Sequence, residues 1–406
     1  MQKSNEKIYW KKKSKIQKIY PYLTKDISCD VLVIGGGISG ALTTYFLAKT
    51  GVNVVVLEKN IIGYGATISA PAILEYQSDI DMHKLEKIKD KNQAERIYKL
   101  SLDAIDIIEK IDNEFEKATG FKRQDAIYFT NKFMQKSNIA KEFKSRKESG
   151  FDALLLDSHT ILNVSSAILT KNASAVINPY MFTQGLFEYL STFKNVKIYE
   201  NTCVVSINSK YSSVECKTNN DFKINSDKVI FTSGIETLKY LNDITNIELY
   251  KTFSIVTKPI IDKENLKDKN INFTARQSGE PYHYIRFDNN GRIIFSGENT
   301  KMTEKFMDEK YLGNISNDKY KKLFSSMNKI FNNIKNIPIE YTYSSTLVNT
   351  KDTLPIIDEI PNMPNCFCNL GYGSNGIIYS AMGANMLKNA INGLYTKDMN
   401  MFKILR

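Results

Sequence analysis

The sequence is poor in the residues that build metal sites and disulfide frameworks: its 406 residues include only five cysteines and three histidines. The cysteines stand at positions 29, 203, 216, 366 and 368, an odd number scattered along the chain, so no disulfide framework is indicated. Cys366 and Cys368 flank Phe367 in an expected strand, and we interpret both as buried small apolar residues on one face. No Cys/His cluster has metal-ligand spacing, so no metal is predicted.

Arginine is scarce as well: of the 55 basic residues, seven are arginine and 48 are lysine. The net charge of +11 would suit a nucleic-acid partner, but phosphate-reading surfaces favour arginine. The composition therefore favours a solvated lysine-rich surface, and no nucleic acid is expected as a partner. The densest basic run is Lys11–Lys13 with Lys15 and Lys18. We expect this N-terminal arm to be a solvated tail, with a docking role as the alternative.

The sequence has no apolar run long enough to cross a membrane, because glycines and polar residues interrupt its longest apolar segments. Its N-terminal stretch has no apolar core followed by a cleavage site, so no secretory signal is predicted. We expect a cytoplasmic protein without a membrane span. A chain of this length exceeds the size at which a single core keeps growing, so two domains are expected.

Residues 30–59 have the pattern of a strand, a helix and a second strand. Val31–Ile34 is a continuous apolar run, which is typical of a parallel strand buried on both faces. A glycine turn follows, and apolar residues then recur at helical spacing until Gly51. Val52–Leu57 gives the second strand. The segment is therefore predicted to be a βαβ unit.

Gly35, Gly37 and Gly40 form a G-x-G-x-x-G pattern in the turn of this unit. The first lets the chain leave the strand sharply, the second lets the backbone approach a pyrophosphate, and the third lets helix and strand pack closely. The helix that begins near Ile38 presents N–H groups to the phosphates. Glu58, 21 residues after Gly37, is placed to bind ribose hydroxyls and disfavours NADP. The alternative is a glycine-rich turn beside a surface glutamate.

A second match, Gly371, Gly373 and Gly376, follows another apolar strand and opens a helix near Ile377. It is not interpreted as a second nucleotide site, because no buried strand with an acidic tip follows Leu387. A helix N-terminus beside close-approach glycines is suited to the negative charge of a reduced flavin near N1 and O2. The alternative is a tight turn without a ligand.

The two glycine motifs belong to a set of six segments that occurs in a known family. The segments are Val31–Lys59, Gly63–Thr67, Val229–Gly234, Arg292 with the turn Asp288–Gly291 before it, Lys351–Pro355 and Gly371–Gly376. In residues and order they resemble the D-amino-acid-oxidase-like flavoproteins, which include glycine oxidase, sarcosine oxidase and gamma-glutamylputrescine oxidase. The resemblance covers nearly the whole chain from about residue 20. It implies tightly bound FAD and oxidation of a C–H bond beside an amine nitrogen, with hydride passing to flavin N5.

The order of the expected elements agrees with this resemblance, because α/β patterns stand at both ends of the chain with strands and helices inserted between them. We expect an α/β fold with an α+β second domain. A Rossmann-like FAD-binding domain would be built from separated segments, with an inserted antiparallel-sheet substrate domain. The expected bounds are 1–27 for the N-terminal arm, 28–80, 175–245 and 350–406 for the FAD-binding domain, and 81–174 and 246–349 for the substrate domain.

The resemblance also assigns residues to each part of the cofactor. Glu58 and Lys59 meet the adenosine, which Val204 and Val205 border. Residues 66–67 lie along the pyrophosphate and ribityl chain, 232–234 pass beneath the nucleotide, and 371–377 face the flavin pyrimidine. The full set expected at FAD comprises Gly35, Gly37, Ile38, Ser39, Gly40, Glu58, Lys59, Gly65, Ala66, Thr67, Ala72, Ile73, Val204, Val205, Thr232, Ser233, Gly234, Gly371, Tyr372, Gly373, Ser374, Asn375, Gly376 and Ile377.

Two positions depart from the family pattern. Leu347 stands where glycine-oxidase-like members carry the arginine that clamps the substrate carboxylate, and leucine cannot make that contact. This departure favours an amine, a polyamine conjugate or an N-substituted compound over an α-amino acid held in that way. Ser345 stands where sarcosine oxidases carry the cysteine that bonds to flavin, so non-covalent FAD is expected.

The strand Tyr282–Phe287 lies where the family fold floors the substrate cavity. Alternation puts Tyr282, Tyr284 and Arg286 on one face and His283 on the other. Arg286 could replace the missing clamp or pair structurally within the sheet. Tyr284 and Tyr372 are candidates for covering the flavin or binding an amine, with packing as the alternative.

No catalytic residue is assigned from the sequence, and the candidates for the substrate pocket are Tyr284, Arg286, Ser345, Leu347 and Tyr372. His83 and His159 lie in polar segments and are expected at the surface, and a structural role is favoured for His283. No base is required, because burial of a substrate ammonium lowers its pKa and favours the neutral amine.

The leading hypothesis is an FAD-dependent amine or amino-acid oxidoreductase acting on a small molecule, with O2 or an electron-acceptor protein as oxidant. The alternative is a non-catalytic FAD-binding subunit or an RNA-modifying flavoprotein domain, suggested by the missing arginine and the basic charge. Reduction of the flavin by an amine would favour the first, and salt-sensitive RNA binding the second.

Overall fold

The computed structural model of the chain describes residues 8–14, 18–115, 117–241, 247–260 and 271–406. Its strands are β1 (Ile27–Ile34), β2 (Val54–Leu57), β3 (Ile73–Glu75), β4 (Lys122–Thr130), β5 (Ala153–Leu156), β6 (Ser166–Val176), β7 (Val196–Tyr199), β8 (Val204–Ser209), β9 (Val214–Thr218), β10 (Lys223–Phe231), β11 (Ile247–Thr257), β12 (Phe273–Gln277), β13 (His283–Phe287), β14 (Ile293–Lys301), β15 (Ile339–Thr350), β16 (Ile356–Glu359) and β17 (Cys366–Leu370). The α-helices of the described residues are α1 (Tyr9–Lys13), α2 (Ile38–Ala48), α3 (Met82–Ile88), α4 (Lys91–Asp112), α5 (Lys136–Glu148), α6 (Pro179–Leu190), α7 (Glu309–Ile330) and α8 (Gly376–Ala390).

The first sheet has the strand order β16-β17-β10-β1-β2-β7, and β17, β10, β1, β2 and β7 run parallel. β1 pairs with both β10 and β2, and the residues of β2 are all buried. The apolar runs of the sequence thus occupy the centre of a parallel sheet, as predicted for the βαβ unit. β16 and the β8–β9 hairpin add antiparallel strands at the sides.

The parallel direction brings several loops to one edge of the first sheet. β1, β2, β10 and β17 end there and lead into residues 35–37, 58–60, 232–234 and 371–376. Open α/β sheets bind their ligands at the carboxyl ends of the strands, so this edge is the expected place for a site. α2 packs between α6 and α8 behind it.

The second sheet has the order β15-β11-β14-β13-β12-β4-β6-β3, with β5 on β6. Its strands pair antiparallel except for β4 and β12, which run parallel. The predicted turn Asp288–Gly291 joins β13 and β14, and Asp288 accepts backbone hydrogen bonds from Asn290 and Arg292. α7 packs on β11 and β14.

The fold is therefore mixed α/β with a second sheet, as expected. β3, Ile73–Glu75, already belongs to the second sheet although the predicted bounds place it in the first domain. The division of the chain into two domains stays a prediction, and the separation of the strands into two sheets supports it.

Strand alternation accounts for the cysteines of β17. Cys366 and Cys368 are buried with the apolar residues on one face of the first sheet, and Phe367 lies in the cluster on the other face. This arrangement confirms the interpretation of both cysteines as buried apolar residues. The described residues contain no group of three His, Cys, Asp or Glu residues that could hold a metal. Among the helices in these ranges, none is long and apolar enough to span a membrane.

The expectation of a solvated N-terminal tail is wrong for residues 8–14. Tyr9 and Trp10 of α1 are only 2% and 4% exposed. The Tyr9 hydroxyl donates to Asp288 Oδ2 at 2.5 Å, and Trp10 Nε1 donates to the Ala70 carbonyl at 2.8 Å. The prediction weighed the basic charge, whereas burial of two aromatic rings decides where the segment lies.

The lysines of the arm behave as expected where they are described. Lys11–Lys13 are exposed, and Lys18 donates to Ser191 Oγ at 2.7 Å. Lys15 lies outside the described residues. The arm thus combines a charged outer surface with a buried aromatic pair.

Candidate active site

The first glycine turn is held by backbone contacts that leave no room for side chains. Gly35 has a φ of +116°. A Cβ atom on Gly40 would lie 1.9 Å from the Gly35 carbonyl oxygen, so only glycine lets α2 pack this closely on β1. The Thr232 hydroxyl donates to the carbonyls of Ile34 and Gly35, each at 3.0 Å, and ties the end of β10 to the turn.

The amino end of α2 contacts the loop that contains residues 65–69. Gly37 caps the helix and has no side chain to satisfy its N–H groups. The Thr67 hydroxyl accepts the N–H of Ile38 at 3.0 Å, so one of the N–H groups expected at the phosphates has a protein partner. Ser39 faces the other way, toward the second glycine loop. Gly65 and Ala66 are exposed beside this helix end.

Glu58 lies at the tip of β2, where the sequence predicts it. Its carboxylate accepts the N–H of Gly36 and the N–H of Asn60, both at 2.8 Å. Burial raises the pKa of Glu58, and the two backbone donors act in the opposite direction. Lys59 is exposed and pairs with Glu236 at 2.7 Å. The carboxylate is therefore fixed at the edge of the sheet with part of its surface open.

The proposed adenine side of this edge carries apolar surface. Val204 is half-buried, while Val205 is 56% exposed and Ile235 is 40% exposed. A Cβ atom on Gly65 or Gly234 would meet no atom within 4 Å. A flat aromatic group would suit this surface. It could cover the exposed apolar side chains and lie close to the backbone of the two glycines.

The second glycine loop lies at the end of β17, as the sequence predicts. Gly371 and Gly373 have φ values of +77° and +53°, and α8 begins at Gly376 without a side-chain cap. Tyr372 hydrogen-bonds through its hydroxyl to Ser39 Oγ at 2.7 Å and to the Asn369 carbonyl. A hydrogen bond thus joins the amino end of α2 to the loop that precedes α8.

Asp79 joins this loop to the second sheet. Its Oδ2 accepts the N–H of Ser374 at 2.9 Å, and its Oδ1 accepts the hydroxyl of Tyr284 at 3.0 Å. Nearby, the Asn375 side chain donates to the Gln77 carbonyl at 2.7 Å. Ile377 follows in α8 and is buried. A carboxylate therefore lies where the two sheets meet.

Arg276 of β12 fixes the segment that carries Asp79. Its Nη1 donates to the Ser78 carbonyl at 2.7 Å, and its Nη2 donates to the Asp79 carbonyl at 2.8 Å. The guanidinium also lies over the rings of Tyr282 and Tyr284, 5.2 and 5.4 Å from their centroids. These contacts position the carboxylate and the two tyrosines together.

Sequence reasoning missed both Asp79 and Arg276. Asp79 follows β3 in a short polar segment without periodicity, so no local pattern singles it out. Arg276 lies in a strand whose residues are all buried. A charged residue inside an otherwise buried strand is the signal that could have found it.

Arg286 lies on the same face of β13 as Tyr284, as alternation predicts, but it contacts backbone carbonyls. Its Nη1 donates to Ala72 at 2.6 Å, to Ile177 at 2.9 Å and to Pro71 at 3.4 Å. Burial lowers the pKa of Arg286 to about 10. Ala72 has a φ of +60°, so the guanidinium holds a strained residue just before Ile73 and β3. The structure thus gives Arg286 a loop-positioning contact.

The two positions that depart from the family pattern lie on β15. Ser345 is buried, and its hydroxyl accepts that of Ser69 at 3.0 Å. Leu347 is half-buried and pairs with Tyr250 across the sheet. Asn349 follows two residues later on the same face, with its Oδ1 buried and unpaired among the described residues.

The histidines lie away from the centre of this site. His283 points to the opposite face of β13, where it hydrogen-bonds to Gln277 at 2.6 Å and stacks on Phe295. The expectation of a surface position is wrong for His83, whose side chain is 10% exposed and lies 2.9 Å from Glu142. His159 is half-buried, and its Nδ1 accepts the backbone N–H groups of Ile161 and Leu162.

A parallel sheet with a glycine turn, a strand-tip glutamate and a second glycine loop at one edge defines the FAD-binding class of dinucleotide folds. The comparison with known families gives the same class: the family described as FAD dependent oxidoreductase, DAO, matches residues 30–390. The chain belongs to this family, it is an FAD-dependent oxidoreductase, and FAD is its cofactor.

Individual relatives agree with the family. The chain is 24% identical over 388 residues to the "Probable oxidoreductase OrdL" of Haemophilus influenzae, covering 92% of this chain and 85% of the relative. It is 20% identical to the gamma-glutamylputrescine oxidoreductase of Escherichia coli, covering 91% and 85%. Glycine oxidase from Geobacillus kaustophilus shares the fold with a TM-score of 0.77 at 17% identity, covering 93% and 99%.

Proposed function

We propose that the chain oxidises a C–H bond next to the nitrogen of an amine, an N-substituted amine or an amino acid. FAD, when bound, accepts the hydride at N5. The observation that carries the proposal is the chain of hydrogen bonds from Ser374 through Asp79 to Tyr284. This chain of hydrogen bonds supports the proposal because it links the second sheet to the helix end proposed to hold the flavin, where cofactor and substrate would meet.

The described residues support a division of the cofactor between the two glycine loops. Glu58 and the turn around Gly37 would hold the ADP part, with Val205 against the adenine. The amino end of α8 would hold the flavin pyrimidine, because a helix N-terminus favours the negative charge that develops there. The hydrogen bond between Ser39 and Tyr372 keeps these two ends together.

The pocket residues would bind and desolvate the substrate. Tyr284 is 9% exposed and Arg276 is 2% exposed, so a substrate beside them leaves water. Desolvation lowers the pKa of a substrate ammonium and favours the neutral amine, the form that releases hydride. The similar proteins include a glycine oxidase and a gamma-glutamylputrescine oxidoreductase, and glycine and gamma-glutamylputrescine both contain a carbon bonded to an amine nitrogen.

Flavin reduction tests the proposal directly. We expect purified protein to show the flavin bands and to lose them without air when one member of a panel of amines and amino acids is added. Flavin that stays oxidised across the whole panel would contradict amine oxidation. Tyr284→Phe should weaken the response to the active amine, whereas Tyr211→Phe, at a side chain 93% exposed, serves as the matched control.

The electron acceptor requires a separate measurement. After reduction by the amine, rapid mixing with air-saturated buffer gives the rate of flavin reoxidation. Fast reoxidation would identify an oxidase, and slow reoxidation would indicate transfer to a partner protein. Salt-sensitive RNA binding together with unreactive flavin would favour the RNA-modifying alternative.

A further inference from the structure

We propose that Asp79 and Asn349 bind the substrate nitrogen, so that this site selects its substrate by an amine group and not by a carboxylate. The inference rests on the proposed function and narrows its substrate class. The substrates it implies are primary or secondary amines without a carboxylate on the reacting carbon.

The two residues converge on Gly373. A Cβ atom there would lie 2.6 Å from Asp79 Oδ2 and 3.5 Å from Asn349 Oδ1, and its three nearest atoms all belong to these side chains. Both oxygens are hydrogen-bond acceptors, and the absence of a side chain at Gly373 lets the Asp79 carboxylate pack against its backbone. Two acceptors beside one glycine suit a ligand that carries several N–H donors.

Asp79 retains capacity for a ligand. An ionised carboxylate accepts about four hydrogen bonds, and two of its positions are taken by Ser374 and Tyr284. Its side chain is 12% exposed, so it is largely desolvated yet reachable. A hydrogen bond from an amine N–H to this charged acceptor is stronger in such a setting than at the surface.

Asn349 is the second observation that points to a ligand. Its Oδ1 is buried and has no hydrogen-bond partner among the described residues. A buried carbonyl without a donor costs free energy, so a ligand that donates to it regains that loss. The backbone of Asn349 also pairs with Tyr372, which fixes this side chain beside the glycine loop.

The nearby guanidinium forms an ion pair with Asp79 but directs its hydrogen bonds to backbone carbonyls. Arg276 lies 3.7 Å from Asp79 Oδ1, and it also faces the buried carboxyl of Glu75. Its Nη atoms donate to two backbone carbonyls, so its main contacts orient the segment. The Asp79 carboxylate therefore keeps hydrogen-bond positions for a ligand.

Leu347 gives a substrate carboxylate no clamp. By the family resemblance it stands where glycine-oxidase-like members carry an arginine, and it lies two residues before Asn349 on the same face of β15. A substrate carboxylate near Asp79 would be repelled, and one near Leu347 would lose its hydration without compensation. The pocket therefore discriminates against amino acids at both ends.

Three compounds of similar shape can test recognition of the substrate nitrogen without any oxidation of the compound. tert-Butylamine has no hydrogen on the carbon beside nitrogen, so it cannot be oxidised there, and pivalate and tert-butanol replace its amine by a carboxylate and a hydroxyl. We would measure binding to the FAD-loaded protein by calorimetry. The amine is expected to bind, with pivalate and tert-butanol at least tenfold weaker.

Two variants assign the binding to the proposed residues. Asp79→Asn should weaken tert-butylamine binding roughly 10- to 100-fold, since it removes a charged acceptor. Asn349→Leu should weaken it by a smaller factor. Asp221→Asn makes the same chemical change at an exposed residue and should leave binding unchanged. If Asp79→Asn does not retain FAD, Asn349→Leu carries the test alone.

The outcomes distinguish this inference from the proposed function. Unchanged binding in Asp79→Asn, no binding of tert-butylamine to the wild type, or tighter binding of pivalate would overturn nitrogen recognition. If binding depends on Asp79 but no oxidisable amine bleaches the flavin, amine oxidation fails and the binding site stands. If n-butylamine bleaches wild type and Asp79→Asn with the same KM, oxidation stands and this recognition fails.

Discussion

The guanidinium of Arg286 lies over the indole of Trp10, with 5.3 Å between its carbon and the ring centroid. Both side chains donate hydrogen bonds to one loop, Trp10 to Ala70 and Arg286 to Ala72. This loop leads from the residues proposed along the pyrophosphate and ribityl chain into β3. The N-terminal helix therefore contacts the loop that leads to the proposed cofactor site, although it lies outside both sheets.

Removal of the indole should loosen this loop. Trp10→Ala deletes a buried ring and its hydrogen bond, and such truncations cost about 3–5 kcal/mol where the structure cannot collapse. We expect α1 to undock and FAD to dissociate more readily. Limited proteolysis of the arm and titration with FAD would measure both effects. Lys13→Ala, at an exposed position of the same helix, should change neither.

Arg286→Leu separates a loop contact from a substrate clamp. The variant leaves the carbonyls of Ala72 and Ile177 without their donor, at a cost of about 1–3 kcal/mol for each buried group. We expect a lower melting temperature and weaker FAD binding. A raised KM with unchanged FAD affinity would instead indicate the clamp. Arg96→Leu, which breaks an ion pair at a side chain 45% exposed, should cost about 0.5 kcal/mol or less.

Gly40→Ala should abolish retention of FAD. Its Cβ would meet the Gly35 carbonyl at 1.9 Å, so α2 must move away from β1 and shift the glycine turn. Overpacking of this kind costs about 1–3 kcal/mol or more. Flavin absorption of the purified protein and its melting temperature give the readout. Gly313→Ala in α7, where a Cβ meets no atom within 4 Å, should stabilise the helix by up to about 1 kcal/mol.

Asp352 should make stability depend on pH in the acid range. Burial alone raises its pKa, but hydrogen bonds and charge from Arg406 and Lys89 outweigh this and lower the pKa from 3.8 to about 2. Because the pKa of Asp352 is lower in the folded chain than in the unfolded chain, its ionised form stabilises the fold above about pH 4. This contribution, about 2 kcal/mol, is lost as pH falls from about 4 to about 2. Urea unfolding at several pH values measures it.

The matched variant for this pH dependence is Asp352→Asn. It should lower the free energy of unfolding at neutral pH and flatten its fall between about pH 4 and about pH 2. An unchanged acid profile would show that the ion pairs of Asp352 with Arg406 and Lys89 do not contribute. Asp221→Asn, at an exposed ion pair with Lys217, should follow the wild-type profile.

Local sequence patterns predicted the parts of the site that a single segment builds. The strand before Gly35, the helix after it, Glu58 at the next strand tip and the loop at Gly371 all stand where they were expected. Each depends on periodicity or on a glycine conformation, and both can be recognised within about 30 residues. Both glycine loops lie at the same edge of the sheet because the carboxyl ends of parallel strands meet there.

Contacts between distant segments were not predictable in this way. Asp79 reaches Ser374 across 295 positions, and Tyr9 reaches Asp288 across 279. No periodicity or turn signal connects such pairs, because packing of the two sheets determines which side chains meet. The charge of the arm predicted exposure to solvent. Its two aromatic rings are buried because they contact residues that are distant in the sequence.

Trp10 is the single tryptophan of the sequence, and its ring is buried between a guanidinium and the loop of Ala70. The intrinsic indole fluorescence of this protein therefore comes from one defined point. The wavelength and intensity of its emission will report whether the indole is buried or exposed to water. Energy transfer from the indole to the isoalloxazine will follow cofactor arrival in real time without any attached dye.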